Sequence, residues 1–343
     1  MEYGYSTVVD PLTYNTDGLC GNIPLRMHMD PWKENIGAGR AQQDWAKLVR
    51  PISQYKGGLG PEYSFIRVTV PECLPERLEI IAYANEFAFL YDDATENIDQ
   101  DTANEESHQM LEVFGEGALK SSGPKDLGAK QIQSQILAEM MALDRGRALT
   151  AMKAWAKFVQ LSSSRHRSVP FTSLKEYLPY RIIDAGELIW FGTVTFGMAL
   201  TIPEEEMELC KQLVQPVFAA LSLTNDLFSW EKERDAAKQN GFSHVINAIW
   251  VLMEERSITE SEAKDVCRAM IKENVAKYSL IVEETRNNSE ISLDLRKYVE
   301  ALQYSHSGNL VWSIYCPRYH PDVSYNGIQI SMVESGAKET LVV

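Results

Sequence analysis

The chain has 343 residues, 45% of them hydrophobic and 24% charged, and a net charge of −15. This composition supplies a large globular core in one or two domains, while the acidic balance, with basic residues dispersed and dense only at Arg165–Arg167, argues against a nucleic-acid partner. Five scattered cysteines without a CxxC, six histidines without ligand-like pairing and no membrane-length apolar run lead us to expect reduced thiols, a cytoplasmic setting and no membrane insertion.

Residues 1–60 read as irregular, with Pro11, Pro24, Pro31 and Pro51 marking turns and a short helix over residues 38–48. From Pro75 the apolar period becomes helical, and PERLEIIAYANEFAFLYDDA contains almost no interior breaker. Residues 121–128 read as an exposed polar loop, and residues 130–159 as a long helix. A further helical pattern contains YRIIDAGE. The next opens with Pro203 and a run of acids, a helix-start signal, and continues through NDLFSWEKE. Helices over residues 260–287 and 293–315 complete the pattern. Strand-like alternation is scarce and no repeat is visible. The expected fold is therefore all-α, one domain over residues 1–322, with residues 323–343 a tail or the start of a linker.

Two stripes of oxygen-bearing side chains stand out. Asn225, Ser229 and Glu233 are spaced four apart, and each step turns a helix about 400°, so all three share one face. An amide, a hydroxyl and a carboxylate form a hard-oxygen set suited to Mg²⁺ rather than to zinc or copper. Leu221, Leu223, Leu227, Phe228 and Trp230 embed the triple in apolar sequence, where a merely solvated polar face is out of place. Asp92 and Glu96 form a second stripe at the end of an apolar helix, with Phe89 and Asn85 below them on the same face. Carboxylates at a helix C-terminus oppose the macrodipole, which favours a cation partner over a plain acidic end. Asp93 is turned about 100° from Asp92 and has the weakest claim of the three. Two stripes clamping Mg²⁺ imply a diphosphate as the missing partner, since this ion keeps few protein ligands and takes substrate phosphates. Arg181, Lys232, Arg318 and Tyr319 are the donors available to grip it.

These motifs resemble those of class I terpene synthases, most closely the cyclase domain of fungal chimeric enzymes that make di- and sesterterpenes. DDATE looks like the aspartate-rich motif DDxxD/E, NDLFSWEKE matches NDxxSxxxE at every defined position, and Arg318–Tyr319 matches the C-terminal RY pair. The N-terminal DGLCGNIPLR is also similar to the opening of those chimeras, so the resemblance spans nearly the whole chain. It implies a helical bundle with a central cavity, three Mg²⁺ ions, and cyclisation of an isoprenoid diphosphate with release of diphosphate, C20 being favoured over C25. Asp92, Glu96, Asn225, Ser229 and Glu233 would then hold metal. Arg181 would sense diphosphate and Lys232, Arg318 and Tyr319 would bind it. Asp184 would be the linker to a helix break at which either Ala185 or Gly186 offers a carbonyl. Phe89 and Trp312, with Phe65, Asn85, Trp190 and Phe191, would line the pocket. The resemblance also implies a prenyltransferase domain in a full-length protein, and leaves open a stand-alone enzyme and a homo-oligomer. A trans-prenyltransferase would carry two DDxxD motifs and a protonation-initiated cyclase a DxDD motif; neither pattern occurs. A non-catalytic helical relative is disfavoured because every metal-binding position is filled.

Overall fold

The computed structural model describes residues 3–52, 55–95, 127–162 and 169–323. Strands β1 (Ser6–Val8) and β2 (Arg26–His28) pair antiparallel, with Ser6 opposite His28 and Val8 opposite Arg26. This ribbon departs from the irregular N-terminus expected from sequence, because a three-residue strand is too short to display an alternating pattern.

Helix α1 (Pro31–Leu48) begins at Pro31 rather than at residue 38, since proline at the first helical position forfeits no hydrogen bond. Its buried Glu34, Ala38, Ala41 and Trp45 recur at helical spacing, and α1 packs along α3 (Pro75–Thr95). Gly37 permits that approach: a Cβ there would collide with the Glu79 carbonyl. The buried Glu34 carboxylate accepts from the backbone N–H of Ile66 (2.7 Å) and Arg67 (3.0 Å), capping α2 (Phe65–Thr69) and fixing Phe65 beside α3.

Helix α4 (Leu127–Ser162) takes in Gly128, so the end of the expected loop is helical; residues 121–126 lie outside the described residues. Extended backbone at Asp144 (φ −158°, ψ 93°) kinks α4 where the Asp144 carboxylate binds Arg77 (2.9 Å) and Arg147 (2.8 Å). Helix α5 (Leu174–Asp184) starts at Ser173, whose hydroxyl accepts from the Glu176 N–H. It ends in the expected break at Ala185–Gly186, where Gly186 has a φ of 96°, and α6 (Glu187–Gly197) resumes beyond it. The 33-residue α7 (Met207–Gln239) carries NDLFSWEKE. Helix α8 (Ala248–Arg256) has no counterpart among the sequence-based expectations, as nine residues are too few to establish a period. Helices α9 (Glu260–Arg286), closed by a Thr259–Glu262 capping box, and α10 (Leu293–Tyr315) lie where the sequence places them.

Helix α10 forms the centre, buried almost throughout its second half and packed by α2, α7 and α9. One hydrophobic core joins residues of α1, α3, α4, α6 and α10, and a second joins α5, α7, α8 and α9. A third, smaller core of Leu25, Tyr63, Val68, Val311, Trp312 and Cys316 fastens the N-terminal ribbon to the end of α10. Each fully buried Leu, Ile or Phe contributes about 1.5–3 kcal/mol, so the bundle depends on these cores rather than on its surface ion pairs. The cysteines are all buried and free, and among the described residues no helix is long and apolar enough to cross a membrane.

Candidate active site

The end of α3, one face of α7 and the segment after α10 meet at one end of the bundle. Arg318 forks onto Asp93, Nη1 donating to Oδ2 at 3.0 Å and Nη2 to Oδ1 at 2.7 Å, and also reaches Asp92 Oδ2 at 3.3 Å. Lys232 Nζ approaches Asp93 Oδ1 at 3.3 Å from α7. The rotation that turns Asp93 away from Asp92 turns it toward these two cations, while the Asp92 side chain is 59% exposed. Burial raises the Asp93 carboxyl, but Arg318 and then Lys232 outweigh it and hold Asp93 below the usual carboxylate range. Arg318 and Lys232 therefore supply Asp93 with countercharge from within the chain. Glu96 lies outside the described residues.

Asn225, Ser229 and Glu233 occupy one stripe of α7 as expected. Asn225 is gripped from both sides, its Oδ1 accepting from Arg181 Nη2 at 2.6 Å and its Nδ2 donating to the Tyr319 hydroxyl at 2.9 Å. Arg181 is buried on α5 and its other nitrogens are engaged as well, Nε with Asp226 Oδ1 (2.8 Å) and Nη1 with Asp184 Oδ2 (2.6 Å). Asp226, wholly buried, was not singled out from sequence. It also accepts from the Tyr177 hydroxyl (2.6 Å) and from Ala248 N–H (2.9 Å) at the start of α8. An acid beside Asn225 in an apolar run needs a buried partner, and that was the available signal. Asn247 completes the network by donating to the Asp226 backbone carbonyl (2.9 Å) and to Glu233 Oε2 (3.0 Å).

At the helix break, Asp184 binds Arg181 and accepts from the Tyr180 hydroxyl at 3.1 Å. The Gly186 carbonyl is taken by Trp190 N–H at 2.8 Å, whereas the Ala185 carbonyl takes no backbone partner among the described residues.

Below the polar rim stands an aromatic wall. Phe65 packs edge-on against Phe89 (5.4 Å between centroids), Trp190 (5.5 Å) and Trp312 (4.8 Å). Phe89 stacks on Trp312 at 5.7 Å, and the Arg318 guanidinium lies 4.9 Å above the Phe89 ring. Tyr319 meets Trp312 at 5.4 Å, joining wall to rim. Phe191 is not part of this group and packs on Tyr298 instead (5.5 Å). Asn85 is half-buried one turn before Phe89 on α3.

The donors on α7 fit a hard cation. Ser229 Oγ is buried and has no partner in hydrogen-bonding geometry, although it lies near enough to Glu233 to favour that side chain's charged form. An unsatisfied buried hydroxyl costs on the order of 1–3 kcal/mol, which an ion drawing on that oxygen would relieve. Glu233 is pushed above its usual range by burial, partly offset by Arg181, and a nearby cation would favour its charged form. Amide, hydroxyl and carboxylate oxygens are the ligands Mg²⁺ accepts, and none of these three is a soft donor.

Comparison with known proteins bears on the family and the fold. Residues 83–277 match the model of terpene synthase family 2, C-terminal metal binding. Fusicoccadiene synthase of Phomopsis amygdali is 51% identical over 98% of this chain and 48% of that protein. The bifunctional type I diterpene synthase tndC of Aspergillus flavipes is 48% identical over 98% of this chain and 44% of its own length. The bifunctional sesterterpene synthase astC of Talaromyces wortmannii is 42% identical over 93% and 43%, respectively. The chain thus spans about half the length of the curated relatives it matches. Among solved structures, aristolochene synthase from Penicillium roqueforti superposes with a TM-score of 0.66 at 22% identity, covering 84% of this chain and 96% of that one. Wild-type cucumene synthase gives a TM-score of 0.65 at 14% identity, covering 85% and 98%. These two share the fold. With the family model matched over more than half of its length, the chain belongs to terpene synthase family 2.

Proposed function

We propose that this chain cyclises a linear isoprenoid diphosphate, C20 in preference to C25, with loss of diphosphate. The observation that carries this is one continuous hydrogen-bonded chain, Asp226–Arg181–Asn225–Tyr319, meeting Arg318, Asp93 and Lys232 directly above the wall of Phe65, Phe89, Trp190 and Trp312. The C20 preference is supported by the higher identity to the diterpene synthase, 48%, than to the sesterterpene synthase, 42%.

Asn225, Ser229 and Glu233, together with Asp92 and Glu96, would hold Mg²⁺, three ions in all. The ions, when bound, supply Lewis acidity toward the leaving diphosphate. Arg181, Lys232, Arg318 and Tyr319 bind its oxygens, the guanidinium forks matching phosphate geometry. Arg181 holds Asn225 Oδ1 before substrate arrives, so drawing Arg181 onto diphosphate frees that amide oxygen. The same shift would pull on Asp184 and the break behind it, where the Ala185 carbonyl would be the one offered to the developing positive charge. Ionisation of an allylic C–O bond needs no protein nucleophile. The aromatic wall folds the chain, excludes water and stabilises the cation by about 0.5–2 kcal/mol per ring. In a longer protein the other half would be a prenyltransferase that makes the substrate, as the bifunctional relatives suggest.

The test offers C15, C20 and C25 diphosphates separately with Mg²⁺ and measures released diphosphate together with products by GC–MS. Cyclic products, most from C20, are expected. No release from any of them would overturn the cyclase, and turnover only with added isopentenyl diphosphate would make the chain a prenyltransferase.

A further inference from the structure

Glu86 is a buried carboxylate that the proposed reaction does not use, yet it stands under both halves of the site. On α3, Glu86, Phe89 and Asp93 are spaced three and four apart and share one face. Phe89 and Asp93 meet Trp312 and Arg318, while Glu86 meets a three-residue strap, residues 56–58. Glu86 Oε2 accepts from Gly58 N–H at 2.9 Å, and Oε1 from Gln42 Nε2 at 2.7 Å.

The strap carries three site elements on its carbonyls. Lys56 C=O accepts from Arg318 Nη1 at 3.1 Å. Gly58 C=O accepts from Trp312 Nε1 at 2.9 Å and from Phe65 N–H at 2.9 Å. The glycines let the strap lie this close. A Cβ on Gly57 would overlap the Glu86 carboxylate and the Tyr55 hydroxyl, and one on Gly58 would come within 3.2 Å of Glu86 Oε2 and of the Phe89 ring. Nothing else on α3 hydrogen-bonds the Gly58 N–H, so the carboxylate sets how the strap rides on the helix.

We infer that Glu86 is a positioning residue for the cyclisation: by holding Gly58 it fixes the Arg318 guanidinium and the Trp312 and Phe65 rings relative to α3. The inference rests on reading the site as a cyclase, and it predicts effects on diphosphate binding and product pattern without contact between Glu86 and substrate.

The test compares wild type with Glu86→Gln, Glu86→Leu and Gly57→Ala, using Val282→Ala in the distant core as a control of comparable stability loss. Two readouts are taken: affinity for inorganic diphosphate with Mg²⁺ by calorimetry, and the ratio of cyclic to acyclic products from the C20 diphosphate. Glu86→Leu and Gly57→Ala are expected to weaken diphosphate binding about tenfold and to raise the acyclic fraction several-fold. Glu86→Gln, which can still accept from Gly58, should stay within about twofold of wild type, and Val282→Ala should change neither readout. If Glu86→Leu does not fold, Gly57→Ala carries the test, since it displaces the carboxylate without removing it. Wild-type diphosphate affinity in Gly57→Ala and in any folded Glu86→Leu would overturn the inference, as would an equal shift in Val282→Ala. A wild-type protein that binds diphosphate but makes no terpene would overturn the cyclase reading alone, the binding arm still deciding the role of Glu86.

Discussion

Arg181 donates to Asn225 across 2.6 Å, so the amide oxygen proposed to bind metal is held, in the ligand-free chain, by the guanidinium proposed to bind diphosphate. Drawing either group toward its proposed ligand therefore pulls on the other. In the proposed reaction this contact would couple arrival of the leaving group to completion of the metal site.

Asp226 and Asp92 separate stability from activity. Asp226 is wholly buried and is the ion-pair partner of Arg181 Nε, so Asp226→Asn should destabilise the fold by about 3–5 kcal/mol, as does breaking a buried pair elsewhere. Asp92 is 59% exposed, and Asp92→Asn should cost less than about 1 kcal/mol while lowering turnover sharply. Urea unfolding alongside turnover checks both, and equal stability losses would contradict the assignment.

Asp93 engages Arg318 and Lys232, the cations proposed to bind diphosphate, and would compete with it for them. Asp93→Asn should therefore tighten binding of inorganic diphosphate a few-fold, measured by calorimetry with Mg²⁺. A tenfold loss would instead make Asp93 a metal ligand.

Glu86 gives a pH signature. Burial raises its carboxyl to about 7 from an ordinary 4.5, against the lowering effects of Gly58 N–H, Gln42, Tyr55 and Arg318. The folded chain thus binds this proton more tightly than the unfolded chain. The associated stability is complete below pH 4.5 and is lost as pH rises through 7, on the order of 3 kcal/mol in all. Glu86→Gln should flatten that component of the stability curve between pH 4.5 and 8. An unchanged slope in denaturant titrations would refute it.

The site was legible where residue type and helical spacing coincide. Asn225, Ser229 and Glu233 could be placed on one stripe because a long uninterrupted helix fixes their relative angle, and Phe89 could be placed beneath Asp92 for the same reason. Long helices were visible through their period, whereas β1, β2, α8 and the first turns of α1 were too short or lacked one. Asp93 was ranked last and Asp226 passed over because their importance comes from cations on other elements: Arg318 lies 225 positions from Asp93, and Arg181 lies 45 from Asp226. Glu86 was hidden likewise, since nothing local shows that Gly58 folds back onto α3.

The central claim is tested most directly by comparing wild type with Asn225→Ala on the C20 diphosphate with Mg²⁺, following diphosphate and hydrocarbon together. The account predicts one diphosphate released per terpene product in wild type, with cyclic product predominating. It also predicts a drop of about 100-fold or more in both for Asn225→Ala, whose fold is retained because the lost hydrogen bonds are worth only about 1–3 kcal/mol. Wild-type turnover in Asn225→Ala, or diphosphate release without any cyclic product in the wild-type chain, would contradict it.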